Sequence, residues 1–333
     1  MLNNKRRNAF LWQTASLILC VAMCAIGTAA DDDSAEKKSR SFKFVYSANV
    51  IDLPANAVVK VWVPIATSNS HQKVEFKRAV APVFMQQNSD PKYGNLIGHF
   101  VGSPVDGKFD FLVEYDVVRQ EAAADQKVAL TEAEKARFLQ ANSLVPISGA
   151  PVELIKEMEM PKEKLAMGKL LYNKVESHMK YDKSKPGYGK GDALWACDSK
   201  TGNCTDFHSL FISMARSRSI PARFEIGFPL PSDKTEGKIG GYHCWAWFHD
   251  DAQGWVPVDI SEADKHPEMK DYYFGKLTPN RVAFSTGRDI ELVPKNESGP
   301  LNYFVYPHVE VNGKVWPKDK IELKFEFANK PVQ

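Results

Sequence analysis

Hydrophobic positions recur at every second residue from Ser41 to Arg119. Phe42, Phe44, Tyr46, Ala48 and Val50 alternate with mostly polar neighbours, Val59, Val61 and Val63 run up to Pro64, and Val74 and Phe76 sit between Lys73, Glu75 and Lys77. Phe109, Phe111, Val113, Tyr115 and Val117 repeat the pattern after an Asp106-Gly107 turn signal. Successive side chains of a strand face opposite ways, so this spacing predicts short antiparallel strands packed as a sandwich-like domain.

Helical spacing then takes over. Thr131-Glu132-Ala133-Glu134 has the form of a capping box leading into Phe138 and Leu139, and Leu165, Leu171, Tyr172, Val175 and Met179 predict a helix over about 162–179. Tyr181 to Gly191 carries Pro186, Gly187, Gly189 and Gly191 and reads as a loop; without Gly-Lys-Ser/Thr at P-loop spacing, it is no phosphate cradle. Phe207, Leu210, Phe211 and Met214 predict a buried helix from Thr205 to Arg218. Two strands follow, Tyr242 to Phe248 and Trp255 to Ile260, joined as a hairpin through Asp250-Asp251-Ala252-Gln253-Gly254. Near the end, Phe304 to Val311, an Asn312-Gly313 turn, and Ile321, Leu323, Phe325 and Phe327 read as a hairpin or a sheet extension.

The fold class is therefore α+β. An N-terminal β-domain spans 41–120, a helical linker 121–160, a core of helices packed on an antiparallel sheet 161–280, and a C-terminal β extension 281–333.

Ahead of these lies Lys5-Arg6-Arg7, an apolar run from Phe10 to Ile26, and small residues at Thr28 and Ala30. This is the pattern of a secretory signal peptide over 1–30, with a mature start at Asp31 and a charged spacer over 31–40. An uncleaved membrane anchor is the rival, because the run approaches spanning length although it includes Gln13, Thr14 and Ser16. Cleavage removes three bases and no acid from 43 basic and 41 acidic residues, which leaves a near-neutral chain. No basic stripe points to nucleic acid, and membrane contact is limited to that anchor. Export places the protein in a periplasmic or extracellular compartment.

Cleavage also removes Cys20 and Cys24, leaving Cys197, Cys204 and Cys244, an odd number for an exported chain. If Cys204 is the free thiol, Cys197 and Cys244 are the pair that could form a disulfide. Cys204 stands at the start of the helix predicted from 205, where unpaired N–H groups and the helix dipole favour a thiolate. His243 and Asp259 lie on the two hairpin strands, and a hairpin centred on residue 251 puts them opposite each other on one face. Cys244, one residue on, is expected on the other face. Thiol, imidazole and carboxylate in this arrangement are the nucleophile, base and orienting group of an acyl-transfer enzyme.

The runs Gly202-Asn203-Cys204-Thr205-Asp206-Phe207, Ser219-Ile220-Pro221-Ala222-Arg223, His243-Cys244-Trp245 and Gly254-Trp255-Val256-Pro257-Val258-Asp259 resemble the transglutaminase-like superfamily. In particular they resemble its exported bacterial members with an N-terminal β-domain. The resemblance covers about 165–265, with looser echoes at Trp62-Val63-Pro64 and Thr286-Gly287-Arg288-Asp289, and Ser219 replaces the usual glycine of its element. It implies a papain-like thiol fold with Cys204 as nucleophile, His243 as base and Asp259 as orienting carboxylate. It also implies an oxyanion donor from upstream, for which Tyr181 and Trp195 are the candidates.

His208, four residues after Cys204, lacks an obvious carboxylate and is expected to pack near the site rather than act as the base. Asp206 reads as a first-turn acid. A zinc site of Cys197, Cys204, His243 and Cys244 lacks a Cys-x-x-Cys pair, so no metal and no cofactor is expected. Asn296-Glu297-Ser298 matches a glycosylation acceptor by chance. The expected activity is acyl transfer from an amide or peptide carbonyl of a protein or peptide substrate through a thioester. Water as acceptor gives a protease, isopeptidase or deamidase; an amine gives a cross-linking acyltransferase. The reading from another class is a binding protein that keeps the fold without turnover.

Overall fold

The computed structural model describes residues 38–124 and 128–331. The expected signal peptide, Cys20 and Cys24 and spacer residues 31–37 lie outside the described residues. Strands β1 (Ser39–Val50), β2 (Val59–Ile65), β3 (Gln72–Val80), β4 (Gln86–Ser89), β5 (Leu96–Gly102), β6 (Phe109–Gln120) and the short β7 (Ala122–Ala123) come first. Helices α1 (Glu132–Leu139), α2 (Ala150–Glu153) and α3 (Lys164–His178) follow, with the predicted capping box of Thr131 and Glu134 formed at α1. Then come β8 (Lys180–Tyr181), α4 (Ala193–Ser199), β9 (Thr201–Gly202) and α5 (Cys204–Ser217). The chain continues through β10 (Ala222–Pro229), β11 (Glu236–Ile239), β12 (His243–Asp250), β13 (Gly254–Val258) and α6 (Ile260–Lys265). It ends with β14 (Lys276–Leu277), β15 (Arg281–Thr286), β16 (His308–Val311), β17 (Lys314–Val315) and β18 (Ile321–Asn329).

Two five-stranded sheets, β11-β18-β1-β6-β3 and β17-β16-β2-β5-β4, contain the N-terminal strands; a four-stranded sheet, β13-β12-β10-β15, carries the hairpin. The period-two residues of three strands are buried, Phe42, Phe44 and Tyr46 on β1, Val59, Val61 and Val63 on β2, Phe109 and Phe111 on β6, whereas on β3 Val74 is half-buried and Phe76 exposed. Their core runs on into the third sheet, where Phe228 of β10 lies 5.3 Å from the ring of Phe44. Each such side chain withdrawn from water contributes on the order of 2 kcal/mol, which makes this shared core a strong tie between the sheets.

At the C-terminal end the strands extend existing sheets rather than form one hairpin. Asn312 and Gly313, both at positive φ (51° and 76°), do make a hairpin turn, but its return strand is β17 and not the 321–327 run. That run is β18, which pairs with β1 and β11, while β16 pairs with β2, so the two strands join different sheets. The start of a C-terminal extension at 281 also falls on β15, which is hydrogen-bonded to β10. Gly227 permits this pairing: a side chain there would collide with the Val282 carbonyl. Among the described residues no helix is long and apolar enough to cross a membrane.

Candidate active site

Cys204 is the first residue of α5. Asn203 caps the helix, its side chain accepting from the Thr205 N–H at 2.9 Å, and Asp206 reaches back to the Asn203 N–H at 2.9 Å. Such a cap is worth about 1 kcal/mol, and here it fixes where the helix begins and hence where the thiol stands. The rest of α5 is buried through Phe207, Leu210, Phe211 and Met214. Its far end closes in a Schellman arrangement, Ser219 N–H to Arg216 and Ile220 N–H to Ala215.

Asp206 does more than favour the helix. Its carboxylate also accepts from the N–H groups of Gly189 at 2.7 Å and Gly191 at 2.9 Å, which ties the 181–191 loop against the start of α5. Arg288, 1% exposed, holds the same loop through the carbonyls of Lys190 and Gly191 and reaches α5 through Ser209. A Cβ on Gly202 would meet the Asp206 side chain at 2.5 Å, so the close approach requires glycine.

His243 opens β12, and its Nε2 lies 2.8 Å from Asp259 Oδ2. The register between β12 and β13 pairs Asp250 with Gly254 and Ala246 with Val258, so the hairpin centres on residue 252 rather than 251. Asp250 Oδ1 sets this turn by accepting from the N–H groups of Ala252 and Gln253. Asp259 is therefore not directly opposite His243. It follows the end of β13 and caps α6, its Oδ1 accepting from the Glu262 N–H and the Ser261 hydroxyl, both at 3.2 Å. The difference of two positions keeps the same face, and the carboxylate still meets the ring. With Nε2 engaged by Asp259, Nδ1 is left for the hydrogen bond between His243 and the Cys204 thiol. Asp259 is fully buried, whereas Cys204 and His243 keep 3% and 6% exposure, so the carboxylate lies behind the ring as seen from solvent.

Electrostatics favour separated charges across the pair. Burial pushes the Cys204 thiol up, but hydrogen bonds from Cys244 and His243 and the charge of His243 hold it well below the usual thiol value. Burial disfavours the His243 cation, yet the charge and hydrogen bond of Asp259, together with Cys204, raise the ring to about 10. Burial likewise works against ionised Asp259, and His243 and Arg281 outweigh it, so the carboxyl stays far below its ordinary range. These directions favour a thiolate facing an imidazolium.

His208 is pushed down to about 4, chiefly by burial, and is neutral. Its Nε2 accepts from the Ile260 N–H at 3.1 Å, which leaves the proton on Nδ1, 3.6 Å from Cys244 Sγ. A ring occupied on both nitrogens is a packing and anchoring group, although the expectation that it lacks a carboxylate fails, since Asp259 Oδ1 lies 3.8 Å from its Nε2.

Cys244 departs from expectation. Its side chain does leave β12 on the face opposite Trp245, but that is the face on which α5 lies, so the thiol meets Cys204 and hydrogen bonds to it. Alternation along the strand was read correctly; which face the helix covers was not in the pattern. The possible disulfide between Cys197 and Cys244 is not formed: Cys197 is on α4, and all three cysteines among the described residues are free thiols.

Of the two oxyanion candidates, Tyr181 is at the site. It pairs with Gly202 beside Cys204, and burial, then the Cys204 charge, pushes its hydroxyl up. Trp195 turns its indole Nε1 toward Gly187, within 2.6 Å of where a Cβ would sit. Tyr242, missed by the sequence reading, has its hydroxyl 3.0 Å from Asn203 Nδ2 and 2.9 Å from Thr205 Oγ1, which braces the cap of α5. Arg281 was missed as well; nothing within a turn or a strand period links it to Asp259. Among the described residues no group of three or more His, Cys, Asp or Glu side chains could hold a metal ion.

Residues 153–260 match the family model of the transglutaminase-like superfamily. The chain is 32% identical over 201 residues to an uncharacterized protein of Haemophilus influenzae, covering 50% of this chain and 54% of that protein. It thus spans about half the length of the curated relative it matches. Among solved structures, a proposed cysteine protease of Cytophaga hutchinsonii superposes with a TM-score of 0.57 at 15% identity, covering 88% of this chain and 98% of that one. The periplasmic domain of TgpA from Pseudomonas aeruginosa gives a TM-score of 0.38 at 14% identity over 69% and 90% of the two chains.

Proposed function

The chain belongs to the transglutaminase-like superfamily through residues 153–260, and on that premise we propose that it is an exported thiol hydrolase acting on amide or peptide carbonyls of a protein or peptide substrate. The observation that carries this reading is the buried contact of Cys204, His243 and Asp259, with a 2.8 Å bond from ring to carboxylate. An ion pair of thiolate and imidazolium has both the nucleophile and the acid that amide cleavage needs.

Cys204 Sγ attacks the carbonyl carbon, and the carbonyl π electrons move onto oxygen. The Cys204 N–H, which the Asn203 side chain leaves free in favour of Thr205, and the Tyr181 hydroxyl are the donors for that oxyanion. His243 passes its Nδ1 proton to the leaving nitrogen, the C–N bond breaks, and a thioester remains on Cys204. Water then attacks as His243 takes its proton, and the thiolate departs. Asp259 stays ionised throughout and holds the ring. Water is favoured as the acceptor, because transfer to an amine requires water to be excluded by a closed acceptor channel, and neither the sequence nor the described residues point to one.

Two measurements test this. Cys204 in the wild-type chain should react with iodoacetamide near neutral pH far faster than an ordinary thiol. Substrate profiling on a protein library should yield cleavage or deamidation products that Cys204→Ala fails to make; products that persist in that variant rule the mechanism out. Added lysine-like amine reports the acceptor, since a cross-linking enzyme would incorporate it.

A further inference from the structure

Asp259 Oδ2 accepts two hydrogen bonds: one from His243 Nε2 at 2.8 Å and one from Arg281 Nη1 at 2.9 Å. Arg281 is 3% exposed, begins β15 and lies 4.8 Å from the ring centre of Trp245. A buried guanidinium is costly unless its charge is matched, and Asp259 is the carboxylate that its Nη1 meets. With Oδ1 already held by Ser261 and Glu262, the Arg281 bond completes a set of donors that prevents the carboxylate from rotating away from the ring.

The strand that carries Arg281 is an edge of its sheet. Two carboxamides from the N-terminal part of the chain close that edge where a further strand would otherwise sit. Gln72, at the start of β3, accepts from the Ala283 N–H at 2.9 Å and donates to the Ala283 carbonyl at 3.0 Å. Asn95, just before β5, does the same to Thr286 at 2.7 and 2.8 Å. Gln72 in turn accepts from Arg119 Nη1 at 3.1 Å. Each pair mimics a strand partner, and together they fix β15 two and five residues beyond Arg281.

We propose that Arg281 is a positioning residue for Asp259 and His243, and that Gln72 and Asn95 hold it in place, which makes the N-terminal sheets part of the catalytic apparatus. This rests on the thiol-enzyme reading above. The groups facing Asp259 are His243 and Cys244 from β12, His208 from α5 with Nε2 at 3.8 Å, Tyr172 from α3, Tyr181 from β8, Tyr273 after α6, Glu262 and Arg281. Arg119 faces Arg281 from β6. Arg281 is the guanidinium among the groups facing Asp259, and it bonds Oδ2, the same oxygen that His243 engages. Without it, Oδ2 loses one of its two donors, the carboxylate is free to turn from the ring, and His243 is held less firmly against the Cys204 thiolate.

The test is the rate of Cys204 alkylation by iodoacetamide in the full chain, followed by peptide mass spectrometry from about pH 4 to 9. Arg281→Gln should move the acidic limb up by about one pH unit, roughly tenfold in rate on that limb. Arg281→Lys keeps the charge on a less rigid stem and should fall between wild type and the glutamine variant. A folded Arg281→Gln whose profile superimposes on wild type overturns the proposal. If that variant does not fold, Arg281→Lys decides, and superposition of its profile on wild type is the overturning result. A wild-type Cys204 that labels slowly would instead sink the thiol-enzyme reading itself.

Discussion

Cys244 Sγ lies 3.6 Å from His208 Nδ1 and hydrogen bonds to Cys204, so the residue next to the base in sequence sits against the nucleophile in space. The Ile260 N–H donates to His208, His208 donates to the Cys244 sulfur, and the Cys244 S–H donates to the Cys204 thiolate. Donors in such a chain polarise one another, and here the chain ends on the Cys204 thiolate. Cys244→Ala should slow Cys204 alkylation at pH 6 by about threefold to tenfold, a loss of roughly 1 kcal/mol of hydrogen bonding. Cys244→Ser keeps a donor and should retain most of the rate. Equal rates in all three proteins at that pH would remove Cys244 from the account.

The pH dependence follows from the two shifted groups. His243 is raised to about 10, so the imidazolium needed to protonate the leaving group persists through neutrality and is lost as pH rises through about 10. Cys204 is lowered, so the thiolate is already present at neutral pH and is lost only on acidification. Turnover should show a broad plateau with its alkaline limb near pH 10. The stability contributed by the His243 cation has the matching sign: full below the unfolded value of about 6.5, fading as pH approaches 10. The melting difference between wild type and His243→Gln should therefore shrink from pH 6 toward pH 10; a constant difference would contradict the shift.

Asp206 ties the 181–191 loop to the start of α5 through the N–H groups of Gly189 and Gly191. Asp206→Asn substitutes a donor for one acceptor oxygen and leaves buried N–H groups unpaired, at about 1–3 kcal/mol. The variant should melt several degrees lower, and hydrogen exchange at Gly189 and Gly191 should speed up while that of β1 and β6 is unchanged. Uniform acceleration across the chain would mean that the loop is not a separately held unit.

Ser219 stands at φ 60° just past the end of α5, in the left-handed region that glycine occupies without strain. Ser219→Gly, which restores the residue usual in the superfamily, should raise stability by about 1 kcal/mol in denaturant unfolding. Cys204 alkylation should not change, because the far end of the helix does not touch the site. Destabilisation by this substitution would show that the serine side chain has a role of its own.

What the sequence determined by itself was short-range. The strands of the N-terminal sheets, the helix that begins near Cys204 and the hairpin that brings His243 toward Asp259 depend on side-chain periodicity and on turn residues, and both can be read along the chain. Cys204, His243 and Asp259 were legible for that reason, and because the motifs around them are specific. Tertiary structure decided what depends on packing between distant segments. It set the face of β12 that α5 covers, and so the contact of Cys244 with Cys204; the one-residue shift of the hairpin centre that Asp250 imposes; and the separation of β16 and β18 into different sheets. It also brought Arg281, 22 residues after Asp259, onto the carboxylate, with Gln72 and Asn95 behind its strand. No local pattern encodes these contacts, because each side chain satisfies its own strand equally well whichever surface it later meets.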